Sequence, residues 1–278
     1  MQVVSKIEAL RSRLDSERDV AFVPTMGNLH HGHLALVDLA HKHAPCVVAS
    51  IFVNRLQFGP NDDFARYPRT LEEDCAKLQR HGADVVFAPE ENELFPIPQR
   101  VTVDLPPLAD ELCGKFRPGH FRGVATVVLK LFNIVQPRIA VFGKKDYQQL
   151  LIIREMVREL NLPIEIIPAE IERAPDGLAL SSRNSYLSPA ERLEAPRLYR
   201  TLAYIKERIA GGERDFGGLQ REAEKMLDSH GWRVDYVALR KNSTLEPAQA
   251  IDNEMIALGA AWLGETRLID NLEVFVTG

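Results

Sequence analysis

Val20-Ala21-Phe22-Val23-Pro24-Thr25-Met26-Gly27-Asn28-Leu29-His30-His31-Gly32-His33 is the stretch that decides the fold. Residues 20–24 form a short apolar run of the kind buried in a parallel sheet. Residues 34–43 change period, with Leu36, Val37, Leu39 and Ala40 on a helical stripe. The loop between them joins a strand to a helix. In an open α/β sheet ligands bind at the carboxyl ends of strands. A helix N-terminus there offers N–H groups and a partial positive charge, which suits phosphate. Gly27 and Gly32 let backbone approach a nucleotide closely. His30 and His33 are three apart, so they face the same way in a first helical turn. Two imidazoles there can donate hydrogen bonds to charge building on a phosphate. Two other readings stay open. The histidines could be a metal pair, although no neighbouring Cys or Glu completes a ligand set. The loop could also be purely structural, although packing alone gives no reason for this density of glycine and histidine.

Working outward, 46–53 and 83–87 read as further strands, with a helix from Thr70 to His81 between them. Thr70 and Glu73 have the spacing of a capping box, and Gly82 ends that helix. Residues 121–135 read as a helix stopped by Pro137, 139–142 as a strand, 146–160 as a long amphipathic helix and 164–167 as a strand. Strands alternating with helices indicate βαβ units. The expected fold is therefore α/β: a doubly wound, Rossmann-like parallel sheet over residues 1–175. The texture changes after Asp176-Gly177. Charged helices over 189–210, interrupted at Pro196, and 216–230 precede three strand-like segments at 234–239, 255–262 and 268–276. Residues 176–278 are expected to form a smaller α+β domain.

Composition narrows the function. The chain has 278 residues, 45% of them hydrophobic and 26% charged, with a formal net charge of −5. This is ordinary for a globular protein with a real core. Basic and acidic residues are interspersed, and the absence of a basic stripe disfavours a nucleic-acid partner. Cys46, Cys75 and Cys113 cannot all pair and form no CxxC, which points to a reducing compartment. The N-terminus lacks a signal peptide's apolar segment, and no apolar run approaches the ~20 residues of a membrane span. A cytoplasmic protein without a membrane partner is expected.

The segment Pro24 to His33 resembles the HxGH motif of the nucleotidyltransferase superfamily. With Pro-Thr-Met-Gly ahead of it, it is similar to the pantothenate synthetase (pantoate–β-alanine ligase) family. Other segments agree in order. Ser50-Ile51-Phe52-Val53-Asn54-Arg55-Leu56-Gln57-Phe58-Gly59-Pro60 resembles the family's substrate loop, with Arg55 where proline is usual. Tyr67 to Asp74 and Arg117 to Val128 are also family-like. Phe142-Gly143-Lys144-Lys145-Asp146-Tyr147-Gln148-Gln149 carries a strand end into a helix, with Lys144 where Glu or Gln is usual. Lys145 can offset phosphate charge, Asp146 can hold Mg²⁺ through oxygen, and Lys144 is expected to be solvated. Asp176-Gly177-Leu178-Ala179-Leu180-Ser181-Ser182-Arg183-Asn184 resembles the mobile KMSKS loop of tRNA synthetases, with the hydroxyls of Ser181 and Ser182 and the planar guanidinium of Arg183 suited to phosphate. Glu172 lies in a run that departs from the family pattern.

The resemblance implies an ATP-dependent ligation of pantoate and β-alanine through pantoyl adenylate, releasing AMP and pyrophosphate. It assigns catalysis to His30, His33, Lys145, Ser182 and Arg183. ATP contacts fall to Pro24, Thr25, Met26, Gly27, Asn28, Leu29, His30, His31, Gly32, His33, Gly143, Lys144, Lys145, Asp146, Glu172, Leu180, Ser181, Ser182 and Arg183. Gln57, Gln149, Met26, Val127 and Val128 are implied to line the site for pantoate and β-alanine. Asp146 and Asp74 are the candidate Mg²⁺ ligands. A homodimer and a lid role for residues 176–278 are implied as well. A dinucleotide-forming nucleotidyltransferase, a tRNA synthetase-like protein and a non-catalytic nucleotide-binding module are the rival readings, the last disfavoured by the intact set of two histidines, lysine and Ser-Ser-Arg. The first fits Gln57 and Gln149 poorly, and the second lacks a basic surface for tRNA.

Overall fold

A computed structural model describes residues 1–60 and 62–276. The chain divides into two compact units: Met1–Lys144 with Ile152–Glu170, and Lys145–Leu151 with Ile171–Gly278.

In the first unit six strands make one parallel sheet: β1 (Gln2–Val4), β2 (Val20–Thr25), β3 (Cys46–Ile51), β4 (Val85–Phe87), β5 (Ile139–Gly143) and β6 (Glu165–Ala169). Their order across the sheet is β1-β4-β3-β2-β5-β6. The chain winds outward from β2 through β3 to β4, then returns to place β5 on the other side of β2. The strand order therefore reverses between β2 and β5, the place where an open α/β sheet receives its ligand at the carboxyl ends of the strands. Both ends carry segments singled out above: Thr25 enters the histidine loop, and Gly143 closes β5.

The connecting helices are α1 (Ile7–Leu14), α2 (His31–Ala40), α3 (Leu71–Arg80), the short α4 (Glu91–Leu94) and α5 (Cys113–Phe116), α6 (His120–Val135) and α7 (Tyr147–Glu159). Fully buried Ala21, Val23, Val37, Val47, Ala49, Leu78, Val86 and Val141 build one layer of the core. Among the described residues no helix is long and apolar enough to cross a membrane.

The doubly wound sheet is as expected, with two differences in detail. β1 has no counterpart among the expected strands: it is three residues long, and two of them are exposed, so it carries little hydrophobic signal. It adds to the sheet edge by parallel pairing with β4. The capping box at Thr70 and Glu73 does not form either. Thr70 makes no side-chain cap; its Oγ1 donates instead to Asp74 at 3.0 Å.

The second unit has α8 (Pro189–Glu194), α9 (Arg197–Ala210) and α10 (Phe216–Asp228) with an antiparallel sheet of β7 (Arg233–Lys241), β8 (Glu254–Leu263) and β9 (Thr266–Phe275), in the order β7-β8-β9. The helical stretch breaks at Pro196, as its missing N–H requires. Leu198, Leu202, Ile205 and Ile209 of α9 and Leu219, Ala223 and Leu227 of α10 pack with Val237, Met255, Ala257 and Ala261 of the sheet.

Candidate active site

β2 delivers the loop, and two helices fix its shape. Gly27 has φ +83° and Asn28 φ +51°. A β-carbon on Gly27 would come within 3.1 Å of Asp74 Oδ2 and of Ile51 Cγ2, so glycine is required there. Asn tolerates the left-handed conformation that follows. The turned backbone aims two consecutive amides at one carboxylate. Asn28 N donates to Asp74 Oδ2 at 2.8 Å, and Leu29 N donates to Asp74 Oδ1 at 2.8 Å. Lys77, one turn further along α3, donates to the Leu29 carbonyl at 2.8 Å. Asp74 is fully buried.

The histidines complete the loop themselves. His30 is the N-cap of α2, and its Nδ1 accepts from Gly32 N at 3.1 Å. His33 Nδ1 accepts from His30 N at 3.3 Å, closing a capping box made of two imidazoles. The rings lie 4.0 Å apart, centroid to centroid. A ring nitrogen that accepts from an amide carries no proton. Each neutral ring therefore holds its proton on Nε2, and that edge is the donor.

Several amides of this loop are already engaged. The amides of Asn28, Leu29, His30 and Gly32 donate within the protein, and Gly27 N donates to Thr25 Oγ1 at 3.2 Å. His30 and His33 are half-buried. Leu29 belongs to the core, and exposed His31 lies edge-on to His81 at 6.4 Å.

Gln57 is positioned just as specifically. Asn54, 1% exposed, donates from Nδ2 to Gln57 Oε1 at 3.0 Å and to the Gly123 carbonyl at 3.1 Å. Its Oδ1 accepts from Leu56 N at 3.3 Å, capping the 3-10 turn Arg55–Gln57. The Gln57 amide is thereby oriented, with Nε2 3.1 Å from Met26 Sδ. Thioether sulfur is a weak acceptor, and a hydroxyl or carboxylate oxygen would replace it readily. The Gln57 carbonyl accepts from Arg117 Nη2 at 3.4 Å and lies 2.8 Å from His120 Nδ1. Arg117 pairs with Asp62 at 2.8 Å. Burial opposes ionisation of Asp62, but the Arg117 hydrogen bond and charge outweigh it and hold that carboxyl below its usual range. Gly123 lets α6 meet this loop: a β-carbon would fall 2.0 Å from the Leu56 carbonyl oxygen. One turn on, Val127 and Val128 are buried. Tyr67 is 4% exposed and meets Phe58 edge-on, a packing role.

The sequence reading missed Asn54, Arg117 and His120. Asn54 left a local signal, an Asn two residues before the amide it caps. Arg117 and His120 left none, because their partner is a carbonyl 60 or more residues away.

At the end of β5, a β-carbon on Gly143 would meet only Leu36, at 3.9 Å. The protein's own packing does not demand glycine there. Lys144 is not the solvated lysine expected. Its side chain is 17% exposed and pairs with Glu170 at 2.6 Å.

In the second unit, Lys145 and Asp146 stand in the 3-10 turn Lys144–Asp146, with Nζ and Oδ2 4.0 Å apart. Gln149 is half-buried in the first turns of α7. Residues 173–179 form a tight hairpin, with Ala174 N on the Leu178 carbonyl and Gly177, at φ +95°, in its turn. Glu172 is exposed, and its carbonyl accepts from Leu180 N at 2.9 Å. Ser181 caps the following 3-10 helix Ser182–Tyr186 by accepting from Arg183 N at 3.3 Å. Its hydroxyl therefore serves the turn, while Ser182 and Arg183 are half-buried at the turn's start.

Among the described residues no group of three or more His, Cys, Asp or Glu could hold a metal. Asp74 does not suit Mg²⁺, because both its oxygens already accept from loop amides. Asp146, 51% exposed, is the better fit, since Mg²⁺ is commonly held by one or two carboxylates with water and substrate phosphates.

The chain matches known proteins over nearly its whole length. The family model for pantoate-beta-alanine ligase matches residues 2–273. Pantothenate synthetase from Nitrosospira multiformis is 61% identical over 274 residues, covering 99% of this chain and 98% of that protein. The crystal structure of pantothenate synthetase from Thermus thermophilus has a TM-score of 0.95 at 48% identity, covering 99% of this chain and 100% of that one. The structure of the Francisella tularensis pantoate-beta-alanine ligase, complexed with beta-gamma ATP and β-alanine, has a TM-score of 0.80 at 33% identity over 98% of this chain and 97% of that one. A match over nearly the whole chain, with the histidine loop and the Gln57 loop each held in place by its own buried side chains, means that the chain belongs to the pantoate-β-alanine ligase family.

Proposed function

We propose that the chain joins pantoate to β-alanine at the expense of ATP, through pantoyl adenylate. The observation that carries this reading is the imidazole capping box, which presents two neutral Nε2–H donors from one helical turn. The carboxylate oxygen of pantoate attacks the α-phosphorus of ATP, and the bond to pyrophosphate breaks. The β-alanine amine then attacks the acyl carbon, and AMP leaves. His30 and His33 donate to oxygens on which negative charge grows, an interaction that strengthens in the transition state. Lys145 and Arg183 offset phosphate charge, and the Ser182 hydroxyl donates to a phosphate oxygen. The oriented amide of Gln57, with Gln149, holds pantoate, while Val127 and Val128 supply apolar surface for its methyl groups. The small, uncrowded Gly143 leaves room for nucleotide. The Francisella tularensis complex supports ATP and β-alanine as ligands.

Asp146 would hold Mg²⁺, which would neutralise phosphate charge. Residues 1–175 would bind nucleotide and pantoate, with residues 176–278 as the smaller lid. The protein would work as a homodimer in the cytoplasm, where its free cysteines remain reduced. Burial pushes the Cys46 thiol up to about 11, which makes it unreactive.

The deciding assay is isotope exchange of pyrophosphate into ATP. With pantoate and Mg²⁺ alone exchange is expected, and AMP release should require β-alanine as well. Exchange that appeared only with β-alanine present would overturn the two-step reading.

A further inference from the structure

Behind Lys145 lies a group of side chains without a role in the chemistry above. Asp270, on β9, is 5% exposed. Its Oδ2 accepts from Arg173 Nη1 at 2.7 Å, and its Oδ1 accepts from Arg173 Nη2 at 2.9 Å and from Asn271 N at 2.7 Å. The same two Nη groups donate to the carbonyls of Gly177 at 3.0 Å and Asn271 at 3.1 Å. The guanidinium also sits 4.4 Å from the centroid of the Tyr199 ring. A bidentate, stacked arginine is fixed in plane as well as in distance. The chain then reaches forward: Asn271 Nδ2 donates to the carbonyl oxygen of Lys145 at 3.0 Å.

We propose that Asn271, backed by the Asp270–Arg173 pair, is a positioning residue for adenylate formation: it fixes the peptide from which the Lys145 side chain extends. This rests on the reading that Lys145 offsets phosphate charge. Lys145 is a long chain with several rotatable bonds, so its root must be held for its ammonium to be placed reproducibly. Asn271 needs no contact with substrate to do this. Displacing a reacting group by about 1 Å can cost about a hundredfold in rate.

The test is a double-mutant cycle in the full-length enzyme, read by pyrophosphate exchange with pantoate, ATP and Mg²⁺. Asn271→Ala is expected to lower the exchange kcat by about tenfold to a hundredfold, with KM for pantoate moving less than about threefold. Lys145→Ala should lower kcat by about 10²–10³. If Asn271 acts through Lys145, the double variant is no slower than Lys145→Ala beyond about twofold. Asp270→Asn should lower kcat in the same direction and lower Tm as well. An Asn271→Ala loss that carries over in full onto the Lys145→Ala background overturns the proposal, and so does exchange at the parental rate in Asn271→Ala. Parental exchange in Lys145→Ala would instead overturn the role given to the lysine, and this inference with it. Should Asn271→Ala show no cooperative melt, Asn271→Ser takes its place in the cycle under the same criteria.

Discussion

In the first unit the residues that carry chemistry also carry structure: His30 and His33 cap their own helix, and the loop before them hangs from Asp74. In the second unit the two jobs are divided. Lys145 extends from backbone held by Asn271, which the Asp270–Arg173 pair backs, and none of these three is given a contact with the reacting atoms; Ser182 and Arg183 start a turn capped by Ser181. The difference teaches where stability and catalysis are coupled. A histidine that accepts an amide hydrogen bond cannot be removed without cost to the fold, whereas a lysine side chain launched from a braced peptide can.

The largest effect expected from this contrast is at Asp74. Asp74→Ala leaves the Asn28 and Leu29 amides without their acceptor and removes a buried charge beside Lys77. Unfolding in urea should show a loss of about 3–5 kcal/mol. A loss below about 1 kcal/mol, the size of one ordinary hydrogen bond, would mean that the loop holds itself. Next comes Lys145→Met, which keeps the length of the side chain and removes its charge. Exchange activity should fall about 10²–10³-fold, while stability stays within about 0.5 kcal/mol of the parent; a large stability loss would erase the contrast between the units.

A finer test separates the two jobs of one histidine. His30→Ala should cost about 1 kcal/mol of stability, and His30→Asn, a good N-cap, should recover most of it. Neither variant should recover activity, because neither offers an Nε2–H. If His30→Asn were as active as the parent, the ring would be a cap and nothing more. The smallest effect concerns acid. Asp62 has a depressed pKa when folded, so its contribution is complete above the ordinary carboxylate value of about 3.9 and is lost as pH falls through the depressed value. With a partly exposed partner the loss should stay under about 1 kcal/mol. Hydrogen exchange at Gly59, whose amide donates to Asp62 at 3.0 Å, should speed up below that range. Arg117→Ala should move the onset to higher pH, since burial alone raises the carboxyl.

Much of this was legible in the residue order, and what was not has physical causes. The strand, loop and helix over residues 20–40 were readable because their signals are local: an apolar run, a helical period and a glycine where φ must be positive. The purpose of Thr70 was not. A helix start looked like a capping box, but the demand on its hydroxyl comes from a carboxylate already committed to amides 45 and 46 residues away. Lys144 falls where the chain departs from the family pattern and looked incidental alone; it faces Glu170 as an ion pair. Arg55, which replaces a usual proline, is held by Glu91 at 3.0 Å and lies 4.5 Å from the Phe64 ring centroid, so the loop gains contacts where it loses a rigid residue. The doubly wound order needed only the alternation of elements. The edge strand β1 needed a partner 83 residues away, and three residues with one buried side chain do not announce it.

Gly123 bears on how the gene can change. Every other amino acid carries a β-carbon, and at this position that atom would lie 2.0 Å from the Leu56 carbonyl oxygen and 2.7 Å from Gln57 N. Backbone cannot step aside as a side-chain tip does, so any missense codon at 123 moves the turn that carries Gln57, whatever the chemistry of the side chain it encodes. In a library of random variants scored for growth without supplied pantothenate, position 123 should therefore be as intolerant as the histidines, although its residue has no functional group at all.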